Sequence, residues 1–175
     1  DAMVVEVGLG GRWDATNVIH APVAVITNVG IDHTGLLGTE REVIAAEKSG
    51  IIKRGATAVT GERSPSVLDV IARESDDPAR LHRIDREFAL PENRVAFGGR
   101  YLSIATSVRA YNGLFLPLHG SHQGVNAAVA VEAVVNFVPD ASLDDGVIAE
   151  GFANAVVPGR LEALRPEEPG APVIV

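Results

Sequence analysis

Two short apolar runs near the start of the chain constrain its fold most strongly. Met3–Val7 and Val23–Val29 are rich in β-branched residues and are bounded by glycine or proline, which is typical of parallel strands buried on both faces. A helical period follows over 40–51, then a strand pattern over 56–60 and a second helical period over 64–74. This alternation predicts an α/β fold with a mostly parallel, doubly wound sheet and helices on both faces.

The middle of the chain has a different pattern. Over about 81–118, short alternating segments are separated by Gly98-Gly99 and Asn112-Gly113, both of which are turn dipeptides. We therefore predict a small antiparallel β insertion there. After it, 121–138 is nearly apolar all round, as in a buried helix, and 142–155 predicts a further helix.

Capping residues mark two of the predicted helix starts. Thr39 and Glu42 have the spacing of a capping box for the helix over 40–51. Ser142 is the expected N-cap of the helix over 142–155, with acidic residues in its first turn.

The two ends of the chain both have strand patterns. The strand pattern of Met3–Val7 begins almost at once, and strand patterns recur over 159–165 and 171–175. A domain seldom places core strands at its termini without a lead-in, so we expect the chain to be part of a longer protein.

Composition excludes several classes of function. At 175 residues with 46% hydrophobic residues, the chain is long enough for one domain with its own core. A net charge of -8 argues against binding to nucleic acid or to an anionic membrane. The chain has no cysteine, and no apolar run reaches the length of a membrane span. We expect a cytoplasmic protein whose metal ligands, if any, are oxygen and nitrogen atoms.

Three charged or basic residues are candidates for chemistry. Glu6 lies near the carboxyl end of a predicted strand, and His33 follows the next predicted strand. Carboxyl ends of parallel strands form the ligand crevice of open α/β sheets. Lys48 has small neighbours in its predicted helix, and an uncharged lysine can add carbon dioxide to give a carbamate, an oxygen ligand for hard cations. The residues alone leave a rim glutamate, a structural histidine and a solvated lysine as alternatives.

The run Gly8-Leu9-Gly10-Gly11 follows the first predicted strand, as a dinucleotide-binding loop would. Trp13 occupies the position of the fingerprint's last glycine, and the next residues do not have a helical pattern. The glycines therefore fit a tight turn or the close approach of a flat ligand better. No phosphate-binding Walker loop occurs in the chain.

Several motifs together resemble one enzyme family. They are EVGLGGRWDATN at 6–17, ITNVGIDHT at 26–34, EKSGIIK at 47–53, GSHQ at 120–123 with Asn126, and PGRLE at 158–162. This set resembles the folylpolyglutamate synthase/dihydrofolate synthase family, which is part of the Mur ligase group. The resemblance spans most of the chain apart from 61–118.

The resemblance implies a magnesium and ATP site. The position of Glu6 binds one Mg²⁺ beside the ATP phosphates in that family, and those of His33 and a carbamylated Lys48 complete a second Mg²⁺ site. Asn126 matches an adenine contact, and Arg160 matches a contact to the phosphates. Glu6, His33 and Lys48 would be catalytic, because magnesium stabilises the charge of phosphoryl transfer.

The resemblance also implies the substrates. Asp14 and Ala15 fall where the family contacts the pterin, in the loop that also contains Gly11 and Arg12. The implied reaction is phosphorylation of a carboxylate by ATP to give an acyl phosphate, which L-glutamate then opens. The acceptor would be dihydropteroate, a folate polyglutamate, or both, in folate biosynthesis and one-carbon metabolism.

The implied architecture is the central domain of such a ligase, expected as a monomer. Residues 1–175 would form part of that domain, with the phosphate-binding loop and a C-terminal domain outside the chain, so we expect the fragment alone to be inactive. Two alternatives stay open: a Mur-type amide ligase of cell-wall synthesis, and a non-catalytic nucleotide-binding module.

Overall fold

A parallel sheet of three strands forms the centre of the fold. The strands are β1 (Val23–Ile26), β2 (Thr57–Thr60) and β3 (Leu81–Arg83), paired in that order and all parallel. Their β-branched and small residues suit strands covered on both faces. The computed structural model describes residues 2–31, 34–138, 143–158, 163–164 and 173–174.

The crossover helices cover one face of this sheet. α1 (Thr34–Leu37) and α2 (Arg41–Ser49) connect β1 to β2, and α3 (Pro65–Glu74) connects β2 to β3. α2 packs against α3. The core on this side has buried residues from the strands and from both longer helices, namely Ile26, Val29, Ile44, Ala45, Ala58, Val67, Ile71 and Leu81.

The other face of the sheet is covered by α4 (Ser121–Phe137). Val59, which points opposite to its neighbour Ala58, packs in a core with Ala128 and Val129 of this helix. Helices therefore lie on both faces of a parallel sheet. This confirms the predicted doubly wound architecture.

A separate antiparallel sheet packs against α4. Its strands are β4 (Ala89–Ala96), β5 (Gly99–Ala105) and β6 (Ala110–Leu116), in that order. Its buried side chains join the α4 core, namely Leu102, Ile104, Tyr111, Leu114 and Leu116. The remaining elements are α5 (Asp145–Ala153), which contacts β6, and the antiparallel pair β7 (Ala163–Leu164) and β8 (Val173–Ile174). Within the residues that the structure describes, no helix is long and apolar enough to cross a membrane.

The predicted strand over Met3–Val7 was wrong. Residues 2–7 form no strand, and Met3 and Val4 are 76% and 99% exposed. A strand needs a neighbour that accepts and donates its backbone hydrogen bonds, and apolar residues alone do not supply one. Within the described residues, β1 pairs only with β2.

The antiparallel sheet differs from the prediction at both its start and one turn. Leu81–Arg83, expected inside the insertion, pairs in parallel with β2, so the antiparallel sheet covers 89–116. Gly98 lies in the β4–β5 turn with a positive φ of 77°, as expected. Asn112-Gly113 is not a turn but lies inside β6, next to a register irregularity. The chain reverses at Thr106–Arg109 instead, where the Thr106 amide donates to the Arg109 carbonyl at 2.9 Å.

Two predicted capping interactions also differ. α2 has Glu40 as its N-cap, with no capping side chain, and Glu42 accepts a hydrogen bond from Ser66 on α3 instead. Glu42 therefore accepts from a residue of another helix and not from the backbone at the start of α2, as a capping box requires. Asp144 caps α5 by accepting from the Val147 amide at 2.9 Å, whereas Ser142 lies outside the described residues.

One buried carboxylate connects the two sheets through α4. Glu132 is fully buried and accepts hydrogen bonds from the His82 ring on β3 (2.5 Å), the Ser107 amide beyond β5 (2.9 Å) and the Asn136 amide group (3.0 Å). Burial raises the pKa of the Glu132 carboxyl, but the hydrogen bonds from His82 and Ser107 outweigh it and leave that pKa below its usual value.

Candidate active site

The glycine-rich loop packs directly against the end of α2. The Arg12 amide donates to the Glu47 carbonyl at 2.9 Å. A Cβ on Gly11 would lie 2.8 Å from the carbonyl oxygens of both Glu47 and Lys48, and a Cβ on Gly50 would lie 2.6 Å from the Cβ of Arg12. Only residues without side chains permit this approach. The small residues around Lys48 therefore accommodate the loop, as their size predicts.

Arg12 and Asp14 hold this loop in place. The Arg12 guanidinium donates to the Ala46 carbonyl at 3.2 Å and to Glu74 of α3 at 2.7 Å. Asp14 accepts from the Thr16 side chain and amide at 2.6 and 2.9 Å, and from the Leu9 amide at 3.0 Å.

These hydrogen bonds fix the ionisation of Asp14. The Thr16 hydroxyl, followed by the Thr16 and Leu9 amides, lowers the pKa of the Asp14 carboxyl to about 2. Ala15 is exposed and begins a 3-10 helix over Ala15–Val18 that Asp14 caps. Asp14 is thus an ionised loop-stabilising residue, and the predicted pterin contacts of this segment stay predictions.

Lys48 lies where the loop, α2 and the end of β1 meet. It lines two adjoining cavities of about 170 and 100 Å³, and Val7 and Gly10 line both of them. Gly30, beyond β1, completes the larger cavity, and Thr27-Asn28 contribute to the smaller one. Lys48 therefore borders cavities at the carboxyl end of β1, where open α/β sheets bind ligands.

Of the other residues predicted to bind magnesium or the phosphates, the structure describes only Glu6. Glu6 is exposed and precedes Val7, which borders the cavities of Lys48. His33 and Arg160 lie outside the described residues. Over the described ranges, no three His, Asp or Glu side chains converge as a metal site would require. The two magnesium sites, with Glu6 at one and with His33 and Lys48 at the second, stay predictions.

Glu62 is a carboxylate at this edge of the sheet that the motifs did not single out. It is 5% exposed and lies two residues beyond the end of β2. One oxygen accepts from the Arg63 and Ser64 amides, both at 2.8 Å. The other accepts from the Val29 amide at 3.0 Å and the Arg41 guanidinium at 2.8 Å.

The ionisation of Glu62 follows from these donors. Burial raises the pKa of the Glu62 carboxyl, but the three amides and Arg41 outweigh burial, so that pKa lies below its usual value. A carboxylate within two residues of the end of a buried parallel strand is a signal that the sequence contains, because such strand ends border the ligand crevice.

The predicted adenine contact, Asn126, is exposed near the start of α4. Its side chain donates to Gln123 at 3.3 Å. The antiparallel sheet supports this helix start, because Asn93 donates to the Ser121 carbonyl at 2.9 Å and is itself held by the buried Arg100. A Cβ on Gly61, at the end of β2, would lie 3.4 Å from Val125 of α4. The start of α4 thus borders the same edge of the parallel sheet as Glu62.

The match to a known domain family decides the relationship of the chain. Residues 1–134 match the model described as the Mur ligase middle domain. The chain belongs to this family. The parallel sheet with helices on both faces is therefore the sheet of a Mur ligase middle domain.

Relatives within this family have folate-related names. The chain is 45% identical to the dihydrofolate synthase/folylpolyglutamate synthase of Mycobacterium tuberculosis, over 94% of the chain and 36% of that protein. A solved structure of M. tuberculosis folylpolyglutamate synthase complexed with ADP matches at 45% identity and a TM-score of 0.84, covering 91% of this chain and 36% of that one. A solved FPGS-AMPPCP-folate complex matches at 34% identity and a TM-score of 0.85, covering 92% and 40%. The chain thus spans roughly two fifths or less of these relatives.

Proposed function

We propose that the full-length protein containing this chain ligates L-glutamate to dihydropteroate, to the γ-carboxyl of folate polyglutamates, or to both, at the expense of ATP. Support comes from the names of its relatives and from the ligands of their solved structures, which are ADP in one case and AMPPCP with folate in another. The single observation that carries the proposal is the position of Lys48 between the glycine-rich loop and the end of β1.

The residues that we propose as magnesium ligands fit Mg²⁺ chemically if the Lys48 amine is carbamylated. A carbamate on Lys48 would supply oxygen ligands beside the His33 imidazole at one site, and Glu6 would supply a carboxylate at the other. Mg²⁺ prefers oxygen ligands. The ion would supply electrostatic stabilisation of the charge that spreads over the transferred phosphoryl group.

The chain's own residues have defined tasks in this proposal. Arg12 and Asp14 keep the glycine-rich loop closed on α2, so that the loop borders both the cavities and the pterin region. The start of α4, with Asn126, receives the adenine, and Arg160 contacts the phosphates. The substrate carboxylate attacks the terminal phosphate of ATP, releasing ADP, and the amine of glutamate then displaces phosphate from the acyl phosphate.

Replacing Lys48 tests the proposal. In the full-length protein we expect Lys48→Ala to lower turnover by about 100-fold or more, as for loss of one preorganised charge-stabilising group, with a much smaller change in ATP affinity. Turnover is measured as folate- and glutamate-dependent ADP release, and ATP affinity by calorimetry. Carbon-13 NMR in ¹³C-bicarbonate should show a carbamate signal that is missing in Lys48→Arg, which keeps a cation but cannot form the carbamate.

The only other lysine of the chain supplies the control. Lys53 lies beyond α2 and lines neither cavity of Lys48, so Lys53→Ala should retain near-normal turnover. Normal turnover in Lys48→Ala would contradict the role of the carbamate. Absence of folate-dependent ADP release in the unmodified full-length protein would refute the proposed activity itself.

A further inference from the structure

The buried carboxylate of Glu62 holds together three segments at the carboxyl edge of the parallel sheet. It binds the Val29 amide beyond β1, the Arg63 and Ser64 amides before α3, and the Arg41 guanidinium at the start of α2. Arg41 in turn donates to the Val29 carbonyl at 2.9 Å. Both the amide and the carbonyl of Val29 are therefore fixed by one ion pair.

The anchored segments form walls of the cavity that contains Lys48. Gly30, which lines that cavity, directly follows the anchored Val29. Arg41 and Lys48 are seven residues apart in α2, so at 3.6 residues per turn they lie on nearly the same side of the helix, about two turns apart. Ile44, between them, also lines the cavity. Glu62 thus connects the two walls on either side of Lys48.

The number of donors requires a carboxylate at this position. Four donors converge on the two Glu62 oxygens, two on each, and an ionised carboxylate accepts about four hydrogen bonds. A glutamine would turn an N–H group toward two of those donors and leave them unsatisfied. The same four bonds make Glu62 an unsuitable metal ligand, because its lone pairs are already used.

We infer that Glu62, with Arg41, is a positioning residue: it holds residues 27–31 and the start of α2 in the arrangement that the Lys48 site needs for cation binding and phosphoryl transfer. The catalytic part of this inference rests on the proposed function. The positioning part rests on the contacts alone and predicts changes in backbone protection and in cation binding.

The test compares Glu62→Gln with Glu87→Gln in the full-length protein. Glu87 is a matched control, because it also accepts from a backbone amide and a guanidinium, both of Arg83, but contacts neither wall of the cavity. The measurements are amide hydrogen exchange over 27–31, Mn²⁺ binding by electron paramagnetic resonance, and the kinetic constants of the ligase reaction.

We expect Glu62→Gln to raise amide exchange over 27–31 and to weaken Mn²⁺ binding about tenfold, the lower end of the effect of removing a group that orients metal ligands. Turnover should fall by a similar factor while the KM for glutamate changes little, and raised Mg²⁺ should restore part of it. A purely structural role would not make turnover dependent on Mg²⁺ concentration. Glu87→Gln should leave all of these quantities near their unmodified values.

Arg41→Lys keeps the inference testable if Glu62→Gln does not fold. A lysine keeps the charge but lacks the planar fork through which Arg41 reaches the Val29 carbonyl and Glu62 with two separate nitrogens, so the same changes should occur with smaller size. Exchange and Mn²⁺ binding equal to those of Glu87→Gln would overturn the inference. If the unmodified protein shows no ligase activity, the proposed function fails, while exchange and Mn²⁺ binding still decide the role of Glu62.

Discussion

Replacing Glu132 with alanine should destabilise the protein strongly. The carboxylate is 0% exposed and accepts from His82, Ser107 and Asn136 at 2.5, 2.9 and 3.0 Å. Removing one partner of such a buried polar cluster costs about 3–5 kcal/mol. For a domain of this size, each kcal/mol lowers Tm by roughly 2–4 °C, so we expect a decrease of about 6–20 °C in thermal unfolding of the full-length protein followed by circular dichroism.

The control for Glu132 is Glu150→Ala on α5, whose side chain is exposed. It should change the free energy of unfolding by no more than about 0.5 kcal/mol. A Glu132→Ala effect as small as that of Glu150→Ala would refute the conclusion that this carboxylate connects the two sheets.

The stabilisation by Glu132 should also depend on pH. Its folded pKa lies below the usual value of 4.5, so the stabilisation is fully present above that pH and is lost as the pH falls through the folded pKa. The difference in unfolding free energy between the unmodified protein and Glu132→Gln should therefore narrow below pH 4.5. A difference that stays constant down to pH 3 would contradict this assignment.

Two further substitutions test the glycine-rich loop. Gly11→Ala should cost about 1–3 kcal/mol and impair ligation, because its Cβ meets the backbone of α2. Gly151→Ala, whose Cβ meets nothing within 4 Å, should instead stabilise α5 by roughly 0.5–1 kcal/mol. Equal changes in the free energy of unfolding, measured by chemical denaturation, would contradict the packing of the loop on α2. Asp14→Asn should raise amide exchange at Leu9 and Thr16 and weaken folate binding measured by fluorescence titration, because the carboxylate holds both amides; unchanged exchange would show that the loop does not depend on it.

The sequence predicted the layers of the fold because hydrophobic periodicity reports burial directly. The helix containing Lys48 and the strands over Val23–Ile26 and Thr57–Thr60 follow from that period alone. Met3–Val7 has the same apolar composition but forms no strand, because strand formation depends on a hydrogen-bonding neighbour and not only on side chains.

The residue pattern around Lys48 predicted the close packing at the candidate site. The small residues beside Lys48 indicated close packing, and Gly11 and Arg12 provide it. The position of Glu62 just beyond β2 was a signal in the sequence, but its role could not be derived there, because two of its four donors, Val29 and Arg41, are more than twenty residues away. Asn112-Gly113 resembled a turn, yet the neighbouring strand determined its conformation.

The shared core of α4 and the antiparallel sheet has a consequence for protein engineering. Excising residues 89–116 would leave the apolar side of α4 uncovered, since that side packs on Leu102, Tyr111 and Leu114. A shortened variant would therefore aggregate unless the helix were redesigned with polar residues. The hairpin end at Phe97-Gly98 is instead the place where a foreign loop could be grafted, because Phe97 is 96% exposed.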